Sequence, residues 1–294
     1  MTTFYNLSTG QAPNPSPPDT ILSMTQAQIA AMCVGAAWRP FSWRPNTAGT
    51  VVAAGNGIVL GNTLGTVTHP AISTASYRAS LPSMLLTAAV GDNYASIFTG
   101  TGTSGVGFCL RGDAAGLGGV YLAQMGSLDT DVATTSMFVG LGATVGGGTA
   151  TPQTRDHHIG LTYETTDGTG TQFFLSRRTA AGGTRTQLAA GQSYTGAAGT
   201  YVVQNSLTRA ASGPVFFHET YIPPGVLTGS RGITIRTSIL TNANTLVPVF
   251  GGIITSDLPA ANTPLVLEHY TRGAGQPAMR FYGWWGWIGG GTAA

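Results

Sequence analysis

Lysine is missing from this chain. All 13 basic residues are arginine, they are set against 11 acidic residues, and only 8% of the 294 positions are charged. An average domain is about 25% charged, so either partners cover part of the surface or Thr, Ser, Asn and Gln keep it in solution. Both alternatives fit a subunit of an assembly. The absence of lysine fits a GC-rich genome as well as a functional cause, but it removes any P-loop, whose lysine reaches the phosphates. A formal charge of +2, with no arginine cluster beyond Arg177-Arg178, argues against a nucleic-acid partner. No run approaches the roughly 20 apolar residues of a membrane-spanning helix. Met1-Thr2-Thr3-Phe4 begins no basic-then-apolar signal peptide, so the expectation is a soluble chain with no signal-directed export and no membrane insertion. Cysteine is scarce too. Cys33 and Cys109 lie far apart among apolar neighbours and read as two buried free thiols. A GxSxG elbow is also absent, which argues against a Ser-His-Asp hydrolase.

What the chain does have, at its start, is proline. Residues 11–19 (QAPNPSPPD) carry four prolines in nine positions, which favours an extended, semi-rigid segment. Thr25-Gln26-Ala27-Gln28 follows with a capping-box pattern, and Ile29, Met32 and Cys33 share one helical face, so a short amphipathic helix is predicted over residues 26–34. Trp38-Arg39-Pro40-Phe41-Ser42-Trp43-Arg44-Pro45 ends it with two aromatic-Arg-Pro units. Residues 1–50 therefore read either as an attachment segment, with Trp38, Phe41 and Trp43 as docking contacts, or as a strand-leading stretch packed on its own domain.

Beyond residue 50 the pattern is β. Short apolar or alternating runs recur at 57–60, 83–90, 106–110, 120–124, 137–141, 158–164, 172–177, 201–204, 215–222, 233–240, 264–270 and 279–288, separated by Gly, Asn, Asp or Pro. This is the rhythm of a two-sheet sandwich over residues 51–294. Ile233, Ile235 and Ile239 alternate with Thr234, Arg236 and Ser238, as in a strand with one core face. The last run, Arg280-Phe281-Tyr282-Gly283-Trp284-Trp285-Gly286-Trp287-Ile288, is apolar on both faces. Simple alternation puts Phe281, Trp285 and Trp287 on one side and Tyr282, Trp284 and Ile288 on the other. A strand covered on both sides suggests core plus subunit contact, with Trp284, Trp285 and Trp287 as assembly residues rather than a ligand site, an aromatic sugar platform being the lesser alternative.

Three constellations could carry chemistry. Gly100-Thr101-Gly102-Thr103-Ser104-Gly105 fits GxGxxG, yet a strand rather than a helix follows it, so the glycines read as a hairpin turn. Arg155-Asp156-His157-His158 could join His218-Glu219 or Glu268-His269 in a metal site, but adjacent strand residues face opposite ways, and no metal or other cofactor is expected. Asp129-Thr130-Asp131 lacks the further ligands of a calcium loop and reads as a solvated turn. A pair such as Glu219 with Glu268 leaves glycoside hydrolysis open as a minor alternative.

Residues 137–188 carry a resemblance. Phe138-Val139-Gly140-Leu141, a loop containing Pro152, Ile159-Gly160-Leu161 and a hairpin turning before Thr184 resemble a lectin-like sandwich domain of tail-fibre and head-fibre proteins of tailed phages. The resemblance implies an all-β, two-sheet antiparallel jelly-roll of the concanavalin-like kind, with the extended N-terminal segment and one short helix added. It further implies a non-enzymatic fibre or spike subunit, a homotrimer made in the bacterial cytoplasm and displayed on the virion surface. That subunit would bind other virion proteins through its N-terminal segment and host-surface glycan through its sandwich. A capsid decoration protein without receptor binding is the alternative, and a polysaccharide-degrading enzyme the third. Tyrosines beside strands could stack on a sugar face while acids and imidazole bond its hydroxyls. The candidate carbohydrate contacts are therefore Tyr163, Asp156, His157, Asp167 and Tyr194, with the polar, Gly-rich loops 146–156 and 165–171 that flank the best-matched strands as the first place for binding.

Overall fold

A computed structural model describes residues 19–45, 60–62, 65–74, 78–91, 94–101, 104–105, 107, 109, 111–114, 117–130, 134–143, 156–165, 172–180, 182–191, 193–196, 199–207, 214–241 and 243–289. In chain order it begins with helix α1 (Gln26–Gly35) and strands β1 (Arg39–Trp43), β2 (Leu60–Asn62), β3 (Thr66–Thr68), β4 (Met84–Thr87), β5 (Tyr94–Thr101) and β6 (Ser104–Gly105). Next come β7 (Val120–Thr130), β8 (Ser136–Gly142), β9 (His158–Glu164), β10 (Phe173–Arg178), β11 (Gly183–Gln187) and β12 (Ser193–Gly196). The chain closes with β13 (Gly199–Val203), β14 (Val215–Ile222), β15 (Ile233–Leu240), β16 (Leu246–Ile254), β17 (Val266–Arg272) and β18 (Ala278–Ile288).

Among the described residues these strands form two antiparallel sheets. The larger, of ten strands, runs β12-β13-β16-β15-β14-β7-β18-β4-β3, with β1 also on β18; the smaller, of eight, runs β11-β10-β9-β8-β17-β5-β2, with β6 on β5. The architecture is the expected all-β sandwich with one helix. The 100–105 glycines do turn a hairpin, pairing Gly100 with Gly105 and Thr101 with Ser104. Within the expected run 106–110, Gly107 and Cys109 are described, and Cys109 forms an isolated bridge to Leu265.

The core lies between the sheets, where Ile97, Val139, Leu161 and Leu175 from the smaller sheet meet Leu122, Phe216, Ile235 and Trp284 from the larger. A second cluster sits on the outer face of the larger sheet. There Ile21, Ile29, Cys33 and Trp38 cover Tyr121, Ala123, Phe217 and Tyr221. Helix α1 forms because Thr25 caps it: its Oγ1 accepts from Gln28 N–H (3.3 Å), and Gln28 Oε1 accepts from Thr25 N–H (2.8 Å). Each apolar side chain that α1 buries on the sheet stabilises the arrangement by about 1.5–3 kcal/mol. Of the two readings for the N-terminal segment, packing on its own domain describes residues 19–45: β1 pairs with β18 through Phe41 opposite Gly286, and Trp38 stacks on Tyr221 at 6.2 Å.

The C-terminal strand departs from simple alternation. Phe281 lies opposite Gly126 and Gly283 opposite Met125, so Tyr282 is an extra residue in a β-bulge. Gly283 supports the bulge with φ +155°, in a backbone region that L side chains rarely adopt. The bulge flips Phe281 onto the inner face beside Trp284, their rings 4.8 Å apart, and leaves Trp285 and Trp287 on the outer face. Among the described residues, no helix is long and apolar enough to cross a membrane.

Candidate functional site

The outer face of the larger sheet carries two adjoining clefts. The first, about 470 Å³, has its floor where β14 turns Phe217 outward, β18 presents Trp285 and the bulge presents Tyr282. Trp285 is half-buried, 5.4 Å from the Phe217 ring, and keeps one side toward the cleft. Tyr282 shares a hydrogen bond with Ser127 Oγ (3.1 Å), and burial pushes its phenol up to about 12, so it stays a neutral hydroxyl. Arg44, leaving β1, and Asn244, in the turn between β15 and β16, are exposed on the rim. The result is an aromatic platform bordered by hydrogen-bonding groups.

The second cleft, about 490 Å³, shares Leu246 with the first and has a charged floor. Glu219 Oε2 accepts from Arg236 Nε (2.9 Å), and Glu219 Oε1 from Tyr121 Oη (2.7 Å) and Gln26 Nε2. Arg236 Nη1 continues to the carbonyls of Ile21 (3.1 Å) and Met24 (2.6 Å). Both carboxylate oxygens are thus engaged in clamping the helix-bearing segment to the sheet. Burial, reinforced by the Glu219 charge, raises the Tyr121 phenol well above its usual value.

The outer face of the smaller sheet mixes polar and aromatic side chains, most of them buried. Strand register aligns Glu268, Gly140, Gly160 and Ser176 in one row and Tyr270, Phe138, Thr162 and Phe174 in the next. A Cβ on Gly140 would come within 2.4 Å of Ile159 O, and one on Gly160 within 2.4 Å of Val139 O, so these strands approach where only glycine fits. His158 Nε2 and Ser176 Oγ are 2.7 Å apart on this face. The Glu219–Glu268 pair does not assemble, because these residues project from opposite outer faces of the sandwich. Sheets stack about 10 Å apart, and carboxylates pointing away from one another across that gap exceed the roughly 5–9.5 Å of glycosidase pairs. Among the described residues, no group of three or more His, Cys, Asp or Glu side chains could hold a metal ion.

The residues singled out from sequence are scattered. Tyr163 is a correction: it is fully buried in the intersheet core against Phe173, ring centroids 5.0 Å apart, and cannot meet a ligand. Asp156 is exposed and paired with Arg178 Nε (3.3 Å), while the neighbouring His157 has φ +50° and its Nδ1 accepts from Ala260 N–H (3.2 Å). His157 and His158 diverge, as adjacent residues do. Tyr194 lies in β12 opposite Tyr201, and Asp167 falls outside the described residues, as do 144–155 and 166–171 in the two flanking loops. The assembly set divides. Trp38, Phe41 and Trp284 are buried within the chain itself, Trp43 stacks on Phe281 at 5.2 Å, and Trp285 and Trp287 remain half-exposed. Asp129 is no solvated turn: it lies in β7 and pairs with Arg280 Nε (2.6 Å) and Arg78 Nη2 (3.2 Å). Both cysteines are free and buried, and burial pushes each thiol up to about 12. Sequence reasoning missed Arg44, Phe217, Asn244 and Leu246; the apolar faces of β14 and β18, the two strands that flank β7, were the available signal.

No family model matches the chain, and no match was found among curated proteins. Solved structures do match. Peanut lectin with a nine-residue peptide shares 12% identity over 85% of this chain and 97% of its own, with a TM-score of 0.45. A Bacillus subtilis protein with a galectin-like fold shares 8% over 86% and 100%, TM-score 0.41. A Bacteroides ovatus family 16 glycoside hydrolase in complex with an oligosaccharide product shares 11% over 84% and 93%, TM-score 0.37. The candidate site rests on its own geometry.

Proposed function

We propose that this protein is a non-enzymatic, glycan-binding subunit of a phage or phage-derived particle, a fibre or spike component that assembles as a trimer at the virion surface. The observation that carries the binding reading is the cleft at Trp285. A half-exposed indole beside Phe217 and Tyr282 offers an apolar surface to a sugar ring, and Arg44 and Asn244 stand where its hydroxyls would be bonded. The virion reading is supported by the resemblance over residues 137–188 and by the low charge, which leaves surface for partners. The non-enzymatic reading is supported by Glu219 being fully engaged in its clamp.

The test is adsorption to host cells by full-length protein and by Trp285→Ala, with oligomeric state followed by light scattering. Loss of adsorption with the trimer intact is the expected result. Adsorption unchanged by the substitution overturns the site, and wild-type protein that decorates shells yet binds no cell surface leaves a decoration protein instead.

A further inference from the structure

The interior of the sandwich contains a polar row that the proposed function does not use. On the inner face of the larger sheet, Trp284, Gln124, His218 and Thr237 stand directly opposite one another on the neighbouring strands β18, β7, β14 and β15. From the smaller sheet His269 reaches across, its Nε2 3.1 Å from Gln124 Oε1. All five are buried, four of them with no accessible surface.

Their hydrogen bonding is half complete. Gln124 Oε1 can only accept, so His269 Nε2 donates, which leaves His269 Nδ1 as an acceptor in the neutral ring. His218 Nδ1 is 2.9 Å from Thr237 Oγ1. Four atoms remain with no hydrogen-bonding partner among the described residues: Trp284 Nε1, Gln124 Nε2, His218 Nε2 and His269 Nδ1. Buried side-chain polar atoms in native proteins are nearly always bonded, and here the orphans cluster along one row.

We propose that this row is a buried hydration site, in which internal water bridges Gln124 Nε2, His269 Nδ1 and the neighbouring orphans and so hydrogen-bonds the two sheets together. The chemistry selects the ligand. Indole and amide N–H groups only donate and repel a cation, and the imidazole acceptors beside them have no carboxylate to complete a cation site, because Glu219 and Glu268 project to the outer faces. An anion would find no counter-charge there, because burial holds both imidazoles neutral. A small neutral molecule that donates and accepts is what remains, and buried water typically makes about three such bonds.

The test is a crystal structure of the full-length protein near atomic resolution, with and without xenon pressure, since dry apolar cavities take up xenon and hydrated polar ones do not. The expected result is ordered water about 2.7–3.2 Å from Gln124 Nε2 and His269 Nδ1, with no xenon in the row. Xenon density between the histidines, or direct pairing of the orphan atoms with nothing between them, overturns the proposal. A volume-conserving Gln124→Met variant supplies a second reading: it should lose the water bonded to His269, and water retained at the same position there counts against Gln124 as its ligand.

Discussion

Acid should loosen this sandwich from within. Burial lowers the His218 imidazole from its ordinary 6.5 to about 4, and it lowers His269 well below 6.5, helped by the nearby His218. A folded-state value below the unfolded one means that the unfolded chain takes up the proton first. Stability is therefore intact above pH 6.5, falls as the pH drops below that, and for His218 stops falling near pH 4, where both states are protonated. From 6.5 to about 4, at about 1.4 kcal/mol per pH unit, the loss is roughly 3.5 kcal/mol for His218. That is a large share of the about 5–15 kcal/mol that holds a typical domain together. The side chains that face His218 along its row, Gln124 and Thr237, carry no charge that could offset it. Glu164 works the other way, because burial raises its carboxyl and acid then favours the folded state. The informative comparison is thus between wild type and His218→Phe, by urea denaturation at several values between pH 7 and pH 4.5. The wild-type midpoint should drop with acid, and the variant should show a visibly shallower drop. Equal slopes in the two proteins would refute the reasoning.

Other perturbations follow from the same geometry. Glu219→Leu strands Arg236 half-buried without its carboxylate and should cost about 3–5 kcal/mol, as breaking a buried pair does, read as a lower denaturation midpoint that Arg236→Met partly restores in a double-mutant cycle. Deleting residues 1–45 removes β1 and bares Tyr121, Phe217 and Tyr221, so the truncated chain should aggregate; a soluble, folded product would show that this segment is a separate attachment arm. Gly160→Val should prevent folding in expression trials, since its Cβ has backbone within 2.4 Å on the next strand.

How far the sequence could be read varies with the element. Strands 158–164, 215–222 and 233–240 were legible to the residue because β-branched and aromatic side chains alternate there. Strand β16 was not, because Pro248 and Gly251-Gly252 look like breakers. In the sheet Pro248 pairs with Ser238 next to a bulge at Val249, the kind of position at which a strand tolerates proline. The face of Phe281 was misjudged for a related reason: one inserted residue reverses parity, and nothing in the period-two pattern marks it. The helix was legible from its cap, while its destination was not, since Arg236 and Glu219 lie some 200 positions away in the chain. Tyr163 looked like a sugar platform because sequence cannot tell an inward from an outward aromatic on a strand apolar on both faces. The Trp285 cleft was invisible for the plainest reason, being assembled from residues 44, 217, 244, 282 and 285.

The decisive experiment is calorimetric titration of purified full-length protein with oligosaccharides from the host surface, for wild type and for Trp285→Ala. The cleft account expects measurable binding by wild type and at least a tenfold loss in the variant, on the order of the 1.4 kcal/mol that one stacking contact supplies. Wild-type and variant curves that coincide would contradict it.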